Sequence, residues 1–289
     1  MSNLILTIMH GYDYPFVQPF LESLKTTGFN GDLVIFTSET VSKTTKRALV
    51  KNGAILIDYH STYPFKPEYT EAFKNILPSA SISNYRFVFY QQYLLANPGK
   101  YQNVMLTDIR DVIFQKDPFA GLSDKVINVF LEDPAQTFRN SELNYGWSSA
   151  ANSKEVTDAI LDEVVSCAGV TIGETSQVLQ YLEYIKSKLE FRDELPWAFD
   201  QGAHNGFVHH LKPAGMRVFK NDDGFVATLG AYQPYELNSC GEIVNSKGKV
   251  YPVVHQYDRS GKLFTAVKLK YIGNRLVQKL KRAYFLLMP

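Results

Sequence analysis

Short apolar runs alternate with longer stretches of helical spacing through the first third of the chain. Residues 4–9 form one such run, 32–37 a second rich in Val, Ile and Phe, and 54–58 a third. Between them, 14–27 repeats its apolar positions at helical intervals behind prolines, and 43–52 does so until Gly53 stops it. Two β-α-β crossovers follow from that order. After a Tyr- and Pro-rich loop at 59–69, Ser83 or Asn84 caps a helix that runs to Ala96 and is halted by Asn97, Pro98 and Gly99; residues 104–107 then return to a strand. The pattern predicts an α/β fold, a mostly parallel sheet with helices on both faces, whose ligands bind where loops leave the carboxyl ends of the strands.

The second half is more mixed. A strand at 126–132 precedes a polar stretch to Asn152, a helix at 155–165, a strand at 169–172 and helices at 175–189 and 200–211. Residues 217–254 read as short strands and turns, with a hairpin at 245–248. No repeat, low-complexity tract or linker interrupts residues 1–258, which therefore form one domain.

Charge changes this picture at one end. The whole chain balances 30 Lys and Arg against 29 Asp and Glu, so it carries no polycationic signature of a nucleic-acid binder. Eight basic and no acidic residues fall in 259–289, however, leaving 22 basic against 29 acidic residues upstream, a net −7. Leu269, Ile272, Leu276, Leu280 and Tyr284 recur there at steps of three and four, the stripe of a basic amphipathic helix. Such a tail suits an anionic membrane surface, and equally a terminal helix packed on its own domain. Two cysteines, Cys167 and Cys240, form no Cys-x-x-Cys pair, which gives neither a disulfide framework nor a thiolate zinc cluster and points to a reducing compartment. Residues 1–9 lack a basic leader and read as a strand, and no stretch approaches the roughly 20 apolar residues of a membrane span. A cytoplasmic location, peripheral on the inner membrane face, is the expectation.

Candidate chemistry concentrates after Asn103, where N-V-M-L-T-D-I-R-D-V-I-F-Q-K-D-P-F delivers Asp108, Arg110 and Asp111 at a strand end. Paired carboxylates at a sheet's binding edge can hold Mn2+ or Mg2+, whose other positions go to water and diphosphate oxygens. They can equally be turn residues, with Arg110 pairing to one of them. The loop after the first strand, His10-Gly11-Tyr12-Asp13-Tyr14, has neither a dinucleotide fingerprint nor a phosphate loop. Arg86, on the helix before the acidic strand, reaches either nucleotide phosphates or an acidic neighbour. Tyr12 and Thr37, at the ends of the first two strands, are placed to meet a base or its ribose. Trp147 and Trp197, with Tyr145, lie in loops where a flat ring stacks on a sugar or packs in the core. His204, His209 and His210 read as surface or interface residues, while His10 and His60 stay open.

The run 108–119 resembles the D-x-D segment of glycosyltransferases of the GT-A fold, in which an apolar strand precedes the acidic motif and an Asp-Pro pair, here Asp117-Pro118, follows it. The resemblance places Asp111 as a metal ligand and Asp108 on the ribose, donor sugar or metal, with Arg110 beside them at the nucleotide. Cys167-Ala168-Gly169-Val170 resembles the Asn-Ala-Gly-Val strand of retaining galactosyltransferases and glycogenin-like enzymes. Asp200-Gln201 with Asn205 resembles their D-Q-x-x-x-N helix start, where the Asp and Gln are catalytic, and His255 sits where a third metal ligand arrives. The resemblance implies a metal-dependent transferase with a nucleotide-binding half at 1–120 and an acceptor-side half at 121–258. Its donor would be a nucleotide-sugar, most often a UDP-sugar, and its acceptor a glycan or glycolipid. Gln201 cannot serve as a base, which favours retention unless Asp200 takes that role. A noncatalytic glycan-binding scaffold on the same fold and a sugar nucleotidyltransferase are the competing readings; the latter expects a Gly-rich basic loop that 10–14 does not provide.

Overall fold

The computed structural model describes residues 2–59, 82–122, 125–189, 195–230 and 234–271. Strands β1 (Ser2–Ile8), β2 (Asp32–Thr37), β3 (Ala54–Asp58) and β4 (Tyr101–Thr107) are parallel and lie side by side in the order β3-β2-β1-β4. Their connections are the predicted helices α1 (Tyr14–Lys25), α2 (Lys43–Lys51) and α3 (Ile82–Ala96). Ser42 caps α2 by accepting from the Thr45 N–H, and Gly53, at φ 86°, supplies the left-handed exit that an L side chain resists.

Alternation along these strands sorts the core into two layers. Leu4, Leu6, Val34, Phe36, Val104 and Leu106 face the layer built on α3, while Ile5, Leu33, Ile35 and Met105 face the layer built on α1. Both faces are covered, which is why the runs read as continuously apolar. Helix α3 is buried nearly all round because the sheet covers one side and α6 (Thr175–Leu189) the other.

The sheet continues through β7 (Ser166–Glu174), β6 (Ile127–Leu131) and β8 (Met216–Phe219). Strand β7 runs antiparallel to both β4 and β6, so its first residues, not its last, lie at the edge where β1, β2 and β4 end. It is longer than the predicted 169–172. The polar stretch before Asn152 contains a helix, α4 (Glu142–Ala151), capped by Ser141; its mixed face hid it from periodicity. The predicted helix 155–165 is only α5 (Lys154–Ala159), since Val164 and Val165 bond back to Thr137 and Gln136. The predicted helix 200–211 is α7 (Phe199–Asn205), which widens into a π-helical turn at Gly206–Leu211.

A second, three-stranded sheet begins one turn after β4. Strand β12 (Val253–His255) pairs antiparallel with β5 (Val112–Phe114) and parallel with β9 (Val226–Thr228); a small hairpin, β10 (Glu236–Leu237) and β11 (Ile243–Val244), lies beside it. Helix α8 (Gly261–Tyr271) then folds onto the domain: Leu263, Val267 and Tyr271 are buried, and Gln18 of α1 donates to the Tyr271 carbonyl at 3.2 Å. In the basic tail, therefore, 261–271 packs on its own domain, with Leu269 partly exposed. The remaining stripe positions, Ile272, Leu276, Leu280 and Tyr284, lie outside the described residues, as does His60. No helix among the described residues is long and apolar enough to cross a membrane.

Two of the histidines read as surface residues are interior. His204 has no exposed surface, and its ring nitrogens meet Ser166 Oγ at 2.9 Å and Tyr181 Oη at 2.8 Å. His209 is buried edge-on against Phe138, near Glu163; His210 is exposed. Burial lowers the His204 pKa to about 3, so the ring stays neutral when folded and protonates near 6.5 when unfolded. A depressed pKa gives stability that is complete above pH 6.5 and drains away as pH falls toward 3. We expect urea melts of the wild type to lose on the order of 2 kcal/mol between pH 8 and pH 5 from this group. His204→Gln, although less stable at pH 8, should lose correspondingly less; equal losses in both proteins would rule the mechanism out.

Candidate metal centre

Strand β4 ends at Thr107, and the next residue, Asp108, is tied to β7 by donating its N–H to the Gly169 carbonyl at 2.9 Å. Ile109 is driven into the core, at 2% exposure, so Asp108 and Asp111 emerge on the same side of a tight turn before β5. The pairing of β5 with β12 sets His255 opposite Val112, and Gln256 donates its N–H to the Asp111 carbonyl at 2.8 Å. Residues far apart in the chain thus become neighbours through one antiparallel pair.

His255 is buried, and its Nε2 lies 3.4 Å from Asp108 Oδ2 and 3.8 Å from Asp111 Oδ1 without making a hydrogen bond among the described residues. One ligand atom from each of the three lies within 4.8 Å of the others. Two oxygen or nitrogen ligands at about 2.1 Å from one ion stand roughly 3 to 4.3 Å apart, so the spacing fits a shared cation. A buried, unsatisfied ring nitrogen directed at two carboxylates is the chemistry of a mixed N/O donor set. The opposite nitrogen, Nδ1, lies 3.6 Å from Cys167 Sγ, which leaves Nε2 as the free face of the ring. Glycine is required at 169: a Cβ there would overlap the His255 imidazole and crowd Asp108.

Charge organises the rest. Arg86 pairs with Asp108 and, at 2.9 Å, with Asp200 Oδ2; Arg110 reaches Asp258 Oδ2 at 3.0 Å and lies 3.9 Å from Asp111. With His255 neutral, four carboxylates against Arg86, Arg110 and Arg259, the last 3.8 Å from Asp258, leave the cluster negative, the sign a bound cation would offset. Burial alone would raise the Asp108 pKa, yet Arg86 and His255 hold it well below the usual carboxylate range. Burial pushes Asp111 up, with Asp108 and Asp258 adding to the effect. Burial would depress His255, but Cys167 and the two aspartates favour its protonated form, so a cation bound here would have to displace that proton.

The remaining predicted residues divide. Arg86 is committed to two carboxylates and joins Asp200 to the acidic strand end, with Asn84 holding the Asp200 N–H at 3.1 Å. Gln201 accepts from the Ala168 N–H at 2.9 Å and donates to the Ser166 carbonyl at 2.8 Å, while Asn205 brackets Ser166 through its N–H and carbonyl. The D-Q-x-x-x-N pattern therefore braces α7 against β7, beside the cluster. Tyr12 stands under the Arg110 guanidinium, 5.9 Å from ring centre to cation. Thr37 is buried at the end of β2, two strands from β4. His10 bonds Tyr59 Oη at 2.8 Å. Trp147 lies on α4 and not in a loop; it meets Trp197, in the turn before α7, edge to face.

Sequence reasoning missed three participants. Cys167, which the sequence offers only as the start of the Cys-Ala-Gly-Val strand, backs the His255 ring. Glu132, beside Cys167, is raised to about 7 by burial and was not singled out. Asp258, three residues after His255 in the segment that carries it, anchors Arg110; its position next to that histidine was the available signal. A groove of about 410 Å3 lined by Phe138, Arg139, Asn140, Glu142, Tyr145 and Leu161 contains none of the cluster's residues. No known protein-family model and no curated protein sequence matches the chain, so the functional argument rests on this geometry.

Calorimetric titration with Mn2+ should show one site per chain that is lost in Asp111→Ala. Gly169→Ala, which drives a methyl into His255, should weaken that affinity at least about tenfold. Unaltered Mn2+ binding in Gly169→Ala would place the ion elsewhere.

Proposed function

We propose that the chain is a metal-dependent glycosyltransferase of the GT-A type, moving a sugar from a nucleoside-diphosphate sugar, a UDP-sugar in the first instance, to a hydroxyl of a glycan or glycolipid. One observation carries the reading: Asp108, Asp111 and His255 converge at the strand ends of an α/β sheet, and Arg86 links them to Asp200. Six of the seven strands share one direction, and a separate three-stranded sheet begins at β5, one turn after β4, which agrees with that fold type.

Asp111 and His255, with Asp108, would hold Mn2+ or Mg2+. When bound, such an ion supplies Lewis-acid stabilisation of the charge that develops on a departing diphosphate, worth several kcal/mol. Arg110, exposed on one side and braced by Asp258, is positioned to contact the diphosphate, and Tyr12 beneath it offers a flat face to the base. Asp200 is held by Arg86 and by Asn84, so it presents a fixed carboxylate toward the donor and acceptor. Gln201 has no basic group and its amide is bound to β7, while the Asp200 carboxylate is engaged by a guanidinium; this favours retention over an inverting displacement that needs an unengaged base. The reading puts the chain in the cytoplasm, its basic tail on the anionic inner surface of a membrane.

The test is a titration of UDP with and without Mn2+, followed by a panel of nucleotide-sugars assayed for metal-dependent hydrolysis. UDP should bind tightly only with Mn2+, and Asp111→Ala should lower hydrolysis by about 10²- to 10³-fold. UDP binding indifferent to both Mn2+ and Asp111→Ala would overturn the proposal.

A further inference from the structure

The chain has two tryptophans, and the fold brings both to one place. Trp147 and Trp197 stand 5.1 Å apart between ring centres at 78°, and Trp197 is 62% exposed. Leaving an indole in water forgoes the burial energy that drives such side chains inward. The exposed ring is nonetheless firmly placed. Asn84 donates to the Pro196 carbonyl at 3.1 Å and accepts the Asp200 N–H, so one side chain clamps both the turn carrying Trp197 and the helix start carrying Asp200. Trp147 is fixed on the other side, since α4 and α7 pack so closely that a Cβ at Gly202 would overlap the Trp147 carbonyl.

The polar surroundings select an occupant. Asn144 lies one turn before Trp147 on the same face of α4, and its Oδ1 is 3.5 Å from Gln201 Nε2. The Asn144 Nδ2 donates to Ser141 Oγ at 2.9 Å. A rigid aromatic face three residues from Asp200, with this amide one turn from Trp147 on α4, complements a pyranose ring. One face of such a ring is a patch of C–H groups that meets the negative π face, while its edge is hydroxyls that seek hydrogen bonds. The pair also lies on the β7 side of the sheet, away from Tyr12 at the end of β1. We propose that Trp197, held edge-on by Trp147, is the stacking platform for the acceptor sugar. This rests on the transferase reading above for the ring's being an acceptor, and on the aromatic pair alone for its being a carbohydrate.

Because the chain has no other tryptophan, indole emission reports on this site directly. The probes are methyl glycosides of gluco, galacto, manno and N-acetylglucosamine configuration, with lactose, maltose and cellobiose, taken to concentrations on the order of tens of millimolar, where weak single-ring binding is visible. At least one should change the emission saturably. Trp197→Ala should raise its Kd at least about tenfold, with Trp147 still reporting, while Trp197→Phe stays within about threefold. UDP binding in the presence of Mn2+ should be unchanged in both variants, which also shows that they are folded. Silence of the wild type to every sugar, or an unchanged Kd in Trp197→Ala, overturns the platform. If UDP also fails to bind the wild type, the transferase reading falls with it; if UDP binds normally, only the platform does.

Discussion

Carboxylates crowded into a poorly solvated corner cannot stay ionised without counter-charge, and the rest of this molecule is arranged around meeting that requirement. Asp111 and Asp200 are buried and Asp108 is half-buried beside them, and bringing three such groups together raises the cost of each. Arg86 answers part of it by standing between Asp108 and Asp200, and Arg110 answers another part through Asp258. What is left over lies between Asp108, Asp111 and the unsatisfied Nε2 of His255.

That residue of charge dictates local structure well beyond the side chains that bear it. Glycine stands at 169 because the imidazole and a carboxylate oxygen occupy the space a methyl would need. Ile109 anchors the turn in the core so that the flanking aspartates turn the same way. Gln201 and Asn205 satisfy the backbone of β7 at Ser166, where the antiparallel strand enters the edge and would otherwise expose its polar groups. Each of these serves rigidity: the charged groups sit on a short turn and at helix starts that backbone bonds and buried side chains tie to the strands.

Parts of this were legible beforehand because they depend on neighbours in sequence. The strands 32–37 and 54–58 and the helix 175–189 follow from local periodicity and their bounding glycines, and they appear as read. The D-I-R-D turn and the late histidine were visible as candidate ligands for the same reason: residue type and order are local facts. Helix α4 was not legible, because its apolar positions are shared with α7 and it has no clean stripe of its own. His204 looked like a surface residue because nothing nearby in sequence reveals that Ser166 and Tyr181 enclose it.

The amino-acid sequence by itself determined the alternation of strands and helices, the two-sided burial of the first four strands and the acidic residues at their binding edge, since each is set by side-chain period and turn chemistry within a few residues. Tertiary structure alone decided that β7 runs against its neighbours, that Arg86 is spent on Asp108 and Asp200, that His255 meets Asp111, and that two tryptophans form one surface. Those outcomes depend on strand pairing and helix packing between distant segments, where the free energy comes from contacts that no local pattern encodes.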